Sequence, residues 1–162
     1  MFNKLGIVSK EMFESLLPSP ERRAKGPYVV MECFQSIPCN PCNTSCSFGA
    51  VKNMADINET PTVYTEKCGG CGVCISACPG LACFVIDETY SKDQVAIKIP
   101  YEMSPLPEKG AVVDALDRFG NVVGMANVIN VQFNKKFDKT NVVTIAIPKE
   151  LIYDVRSIKV GR

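Results

Sequence analysis

The sequence predicts a mixed fold of helix and sheet in three parts, and three observations carry that prediction. Residues 1–30 contain one short amphipathic helix pattern, residues 31–90 contain all nine cysteines, and residues 91–162 contain β-branched segments with no cysteine.

In the N-terminal arm, residues 1–30, Ser9 stands where a helix cap is favoured. Met12, Phe13, Leu16 and Leu17 form an apolar side, and Pro18 and Pro20 end the pattern. A helix this short is marginal by itself, so its apolar side must dock on something. The polar stretch PSPERRAKGP then reads as an exposed connector carrying Arg22, Arg23 and Lys25. In the C-terminal part, residues 91–162, VAIKI (95–99), AVVDAL (111–116), NVVGMANVINVQF (121–133) and VVTIAI (142–147) are strand patterns. DRFGN (117–121) has the Gly and Asn of a hairpin turn. This part is expected to be a small antiparallel β module, sheet or barrel.

Composition narrows the function. With 162 residues and 46% apolar content the chain can build a real core. The net charge is +1, from 18 basic and 17 acidic residues, so nothing general attracts a nucleic acid or an anionic membrane. The opening MFNKLGIVSKEMFESLLPSPERR lacks the features of a secretory signal, and no apolar run reaches the length of a membrane span. The expected location is therefore cytoplasmic, where cysteines at these spacings read as metal ligands rather than disulfides. Histidine is absent, which excludes Cys2His2 zinc, Rieske centres, His-ligated haem and imidazole base catalysis.

Residues 68–79 read CGGCGVCISACP. Thiolates are soft ligands, and four in so short a segment select zinc or an iron-sulfur cluster. Cys68, Cys71 and Cys74 fall at three-residue steps that wrap one face of a cubane. Cys78 follows after a longer gap and precedes Pro79; a thiolate in that position ligates a second cluster. The motif thus demands a partner. Cys39, Cys42 and Cys46 lie 32 positions before Cys71, Cys74 and Cys78, and the alignment continues to place Ala50 on Ala82. This is an internal repeat.

TEKCGGCGVCISACPG is similar to the second half of bacterial dicluster ferredoxins, and the resemblance covers roughly residues 31–90. It implies an α+β, ferredoxin-like dicluster domain with a pseudo-twofold repeat, carrying two 4Fe-4S clusters. The first motif departs from the family pattern: Ser47 follows Cys46 where proline is usual, and the expected first cysteine is Ser36. Cys33, three residues earlier, replaces it if the first loop is expanded. The family's crossed ligation then implies one cluster on Cys68, Cys71, Cys74 and Cys46, and a second on Cys33, Cys39, Cys42 and Cys78. The alternatives are a three-iron cluster with Cys33 free, or Ser36 as an oxygen ligand.

The ninth cysteine, Cys83, aligns with Val51 and reads as a small buried hydrophobe. Ala50, Val51, Ala82, Phe84, Val85 and Ile86 read as core and cluster lining. Cubanes fully ligated by cysteine pass single electrons and do not activate substrate, so the protein is expected to be a non-catalytic electron relay. KGPYVVMECFQSIPCNPCNTSC also resembles the small iron-sulfur subunits of FAD-dependent amino-acid and hydroxy-acid dehydrogenases of anaerobic bacteria. That implies a hetero-oligomer whose flavin-containing partner subunits carry the FAD or FMN. The other readings are an independent soluble dicluster ferredoxin and a zinc-binding structural module.

Overall fold

Seven strands make one antiparallel sheet that runs through the whole chain. The structure, a computed structural model, describes residues 2–133, 135–137 and 139–161. In chain order it contains helices α1 (Phe2–Leu5), α2 (Lys10–Glu14) and α3 (Pro20–Arg23), strand β1 (Tyr28–Met31), and helices α4 (Pro41–Thr44) and α5 (Val73–Ala77). Strands β2 (Cys83–Asp87), β3 (Gln94–Tyr101), β4 (Val112–Leu116), β5 (Val122–Gln132), β6 (Asn141–Pro148) and β7 (Ser157–Lys159) follow. Their order across the sheet is β1-β2-β3-β6-β5-β4-β7.

This overturns the α+β, ferredoxin-like fold class expected from the sequence. The fold is mostly β, and its helices are single turns of four or five residues. The physical reason lies in the spacing of the cysteines. Residues between them are spent on turns with glycine and proline, so α5 ends at Cys78 before Pro79 and no long helical run can form. The β-branched tail, in contrast, extends a sheet that already includes the cysteine-rich region, because β2 pairs with β3 across residue 90. Strands β1, β2 and β7 were not expected as strands.

Alternation along the strands sorts the molecule into two layers. Tyr28, Val30, Phe84, Ile86, Ile97 and Ile99 point to one core, which the arm and the C-terminal segment cover. Val29, Met31, Cys83 and Val85 point to the other face, where Val51, Ile75 and several cysteines pack.

The expected arm helix forms. Ser9 Oγ accepts from the Met12 amide at 3.2 Å, and Phe13, 2% exposed, is buried with Met12, Leu16 and Leu17 packed beside it. The Phe13 ring lies 5.0 Å from the Arg156 guanidinium and 5.8 Å from the Tyr153 ring. Burial of such a ring contributes roughly 1.5–3 kcal/mol.

The expected exposed connector is exposed at Ser19, Pro20, Glu21, Ala24 and Lys25 but not at Arg22. Ser19 caps α3 by accepting from the Arg22 amide, and Pro20 opens the helix, which turns Arg22 inward. Arg22 is 6% exposed. Arg23 makes two hydrogen bonds, 2.7 and 2.8 Å, to the Glu88 carboxylate, which also accepts from the Tyr28 hydroxyl. The DRFGN turn forms as expected: Asp117 Oδ1 accepts from the amides of Phe119 and Asn121, both at 2.8 Å. Among the described residues, no helix is long and apolar enough to cross a membrane.

Candidate metal centres

The 32-residue repeat is carried into backbone geometry. Helices α4 and α5 occupy matching positions, and the turns after them bond alike: Cys46 N donates to Asn43 O at 3.2 Å, and Cys78 N to Ile75 O at 3.4 Å. Ala50 N donates to Cys46 Sγ at 3.4 Å, and Ala82 N donates to Cys78 Sγ at the same distance. Gly49 has φ +60° and its counterpart Leu81 has φ +51°, so the repeat holds a non-glycine residue in a left-handed turn. That turn aims the alanine amide at the sulfur.

The halves also exchange partners. Glu32 N donates to Ala82 O at 2.8 Å, and Tyr64 N donates to Ala50 O at 2.7 Å. Met31 pairs with Cys83, and Val63 pairs with Val51. Each of these contacts maps on the other by a shift of 32 positions.

Two cavities of nearly equal size result. The first takes in about 360 Å³, part of it open to solvent, and among its walls are Cys46, Cys68, Cys71 and Cys74. The second takes in about 380 Å³, and its cysteines are Cys33, Cys39, Cys42, Cys78 and Cys83. Leaving aside Cys83, which also lines the second, each thus draws three cysteines from one half of the repeat and one from the other. Ser36 is exposed and lines a separate open depression with Asp56, Asn58 and Thr62. Apart from sulfur, the first cavity is lined by apolar side chains and glycine, including Val29, Phe48, Val51 and Val85.

Electrostatics distinguish the thiols. The Cys83 thiol hydrogen-bonds to the sulfurs of Cys74 and Cys78 and lowers both thiols; the Cys78 value falls to about 6, helped by the amides of Ala82, Gly80 and Leu81 against the cost of burial. Burial pushes Cys42 up to about 11, with the nearby Cys78 adding to the rise. Burial likewise raises Cys33 and Cys68. Cys83 is 2% exposed, and its own thiol is raised by bonding to Cys74 and Cys78. The expected small core residue therefore has a further property: it lines the second cavity with Cys78 and lowers the thiol of Cys74 from the first.

Sequence reasoning missed two cations. Arg22 donates to four carbonyls: Thr65 at 2.8 Å, Gly26 at 3.1 Å, Pro27 at 2.8 Å and Cys68 at 2.9 Å. Lys98, on the cysteine side of β3, donates from Nζ to Gly70 O at 2.7 Å and Cys71 O at 3.5 Å. Burial lowers the Lys98 ammonium, while the thiols of Cys71, Cys68 and Cys74 and the Asp87 carboxylate oppose that fall. A signal for each existed: Ser-Pro-Glu is a helix start that turns Arg22 inward, and Lys98 interrupts an apolar strand between Ile97 and Ile99.

Among the described residues, no three Cys, Asp or Glu side chains stand close enough to hold a single metal ion. A tetrahedral zinc site needs sulfurs about 3.8 Å apart, given a Zn–S bond of about 2.3 Å. A cubane places its four thiolates on four separate irons and takes a wider cage. Clustered soft donors lining each space, with amides aimed at sulfur, fit that group. Compared with known proteins, the chain matches no family model, no curated protein and no solved structure. The resemblance of residues 31–90 thus rests on the motifs themselves.

Proposed function

We propose that this chain holds two 4Fe-4S clusters, one on Cys46, Cys68, Cys71 and Cys74 and one on Cys33, Cys39, Cys42 and Cys78. It serves as a non-catalytic electron-transfer subunit of a cytoplasmic dehydrogenase complex whose partner chains carry FAD or FMN. The observation that carries this reading is the pair of cavities, the first walled by four cysteines and the second by five, Cys83 among them, drawn in each case from both halves of the repeat. When bound, such a cluster supplies one-electron transfer. Around the first cavity the chain's own walls are apolar, and at each cavity an alanine amide, Ala50 or Ala82, bonds to ligand sulfur.

Support for a fixed subunit comes from the sheet surface. Val112 and Met125 lie on the outward side of the β4–β5 pair, Phe119 and Val122 lie at its hairpin end, and Phe133 follows β5; all five are exposed. Val112 and Met125 are diagonal neighbours on that face, and adjoining exposed apolar side chains fit a protein interface. The test is anaerobic purification from the native host, measuring iron, acid-labile sulfide and flavin together with the co-purifying chains. Two clusters' worth of iron and sulfide with flavin-containing partners is the expected result. A colourless protein with zinc and no sulfide would end the reading.

A further inference from the structure

The two centres are built alike but are charged differently, and this inference rests on the two-cluster reading. Behind the first, two cations reach the ligand loop from outside the repeat. Arg22, from α3, bonds the carbonyl of Cys68, and Lys98, from β3, bonds the carbonyls of Gly70 and Cys71. By the 32-residue shift the matching carbonyls of the second centre belong to residues 36, 38 and 39. Among the described residues, no lysine or arginine bonds to those carbonyls, and the charged side chain in that cavity's wall is the carboxylate of Glu59. The first centre also has the exposed cysteine, Cys71, whereas Cys33, Cys39, Cys42 and Cys78 are each half-buried.

Reduction adds negative charge to a cluster. A cation held in a partly buried place favours that charge more than bulk water would, because the local dielectric is low. Solvent access acts in the same direction. We propose that the centre of Cys46, Cys68, Cys71 and Cys74 has the more positive reduction potential of the two, and that Lys98 is the positioning residue that sets much of the difference. Arg22 contributes to the same field, but its bonds to four carbonyls make it a poor probe, since its loss would disturb the fold. Lys98 has a long apolar stem that methionine can replace.

Anaerobic potentiometric titration followed by electron paramagnetic resonance tests this on the full chain with whatever partners co-purify. Two midpoint potentials are expected. In Cys33→Ala, which removes a wall of the second cavity, the intact cluster that remains should be the one with the higher potential. In Lys98→Met that same potential should fall, with the reduced-to-oxidised ratio at fixed potential dropping at least about tenfold, or about 59 mV for one electron. The other potential should not move, and Lys98→Arg should restore the first. Two clusters with the lower potential surviving in Cys33→Ala would overturn the inference, as would a Lys98→Met protein with both potentials unchanged. Absence of iron and sulfide from the unaltered protein would instead remove the two-cluster reading on which it stands. The Cys33→Ala arm leaves Lys98 intact, so the order of the potentials is tested even if Lys98→Met does not fold.

Discussion

Glu32 accepts two parallel hydrogen bonds from Arg118, each 2.7 Å long, although 86 residues separate the two. Arg156 adds bonds of 2.9 and 3.0 Å to the same carboxylate, and the side chains of all three are buried. The residue beside Cys33 is thereby fastened to the C-terminal end of the chain. Glu32→Gln leaves two guanidinium groups without their counter-charge and should cost about 3–5 kcal/mol in urea unfolding. An unchanged midpoint would show that the network is ornamental to stability.

The same carboxylate gives a pH dependence. Burial pushes the Glu32 carboxyl up, but bonding and charge from Arg118 and Arg156 outweigh it and hold the group below its ordinary value. A carboxyl depressed in the folded state stabilises the fold fully above the unfolded value, about 4.3, and loses that contribution as pH falls through the folded value. Unfolding free energy should therefore decline below about pH 4.3 in the unaltered protein. The decline should be shallower in Glu32→Gln, and equal slopes would count against the assignment.

At the cysteines, three substitutions should separate by role. Cys33→Ala should lose or convert one cluster, read by spin quantitation, because Cys33 lines the second cavity with Cys39, Cys42 and Cys78. Ser36→Ala should retain both, since Ser36 lies outside that cavity. Cys83→Ala should also retain both clusters while shifting the signals, because its thiol touches Cys74 and Cys78. Equal outcomes for Cys33→Ala and Cys83→Ala would refute this division.

Two glycines in the first ligand loop should differ in tolerance. Gly70 has φ +67°, and a Cβ there would stand 2.6 Å from Pro27 Cβ. Gly72 has φ +89°, but its added Cβ would meet neighbours at 3.5 Å or more. Gly72→Ala should cost about 1–2 kcal/mol from backbone strain alone. Gly70→Ala must also displace a rigid ring, so its thermal midpoint should fall further and iron content should drop with it.

Phe13→Ala should cost about 3–5 kcal/mol, since the ring is buried between Arg156 and Tyr153. It lies on the sheet face opposite the cysteines, so iron content per folded chain should not change. Loss of iron together with stability would mean that the two faces are coupled.

Much of the site was legible because ligand spacing is a local property of the chain. The repeat from Cys39 to Cys78, the cap at Ser9 and the strands from Val95 onward all declare themselves within a few residues. The fold class was misread for a physical reason: four-residue strands such as Tyr28–Met31 carry too little pattern to register, and their pairing with Cys83–Asp87 is long-range. Arg22 and Lys98 left a local signal, a helix start and a break in an apolar strand, but nothing in a connector or a strand reveals which carbonyls a cation will meet. Glu32 meets its arginines only once the C-terminal segment has packed.

The exchange of partners between the two halves bears on how the protein is made. During synthesis the first half emerges carrying Cys33, Cys39, Cys42 and Cys46, yet these divide between both cavities. Neither cavity has its fourth sulfur until the ribosome has passed Cys74 for one and Cys78 for the other. The strand that closes over them, Cys83–Asp87, comes later still. On the two-cluster reading, neither centre can be filled before about half of the 162-residue chain has been made, and both become available within a few residues of each other.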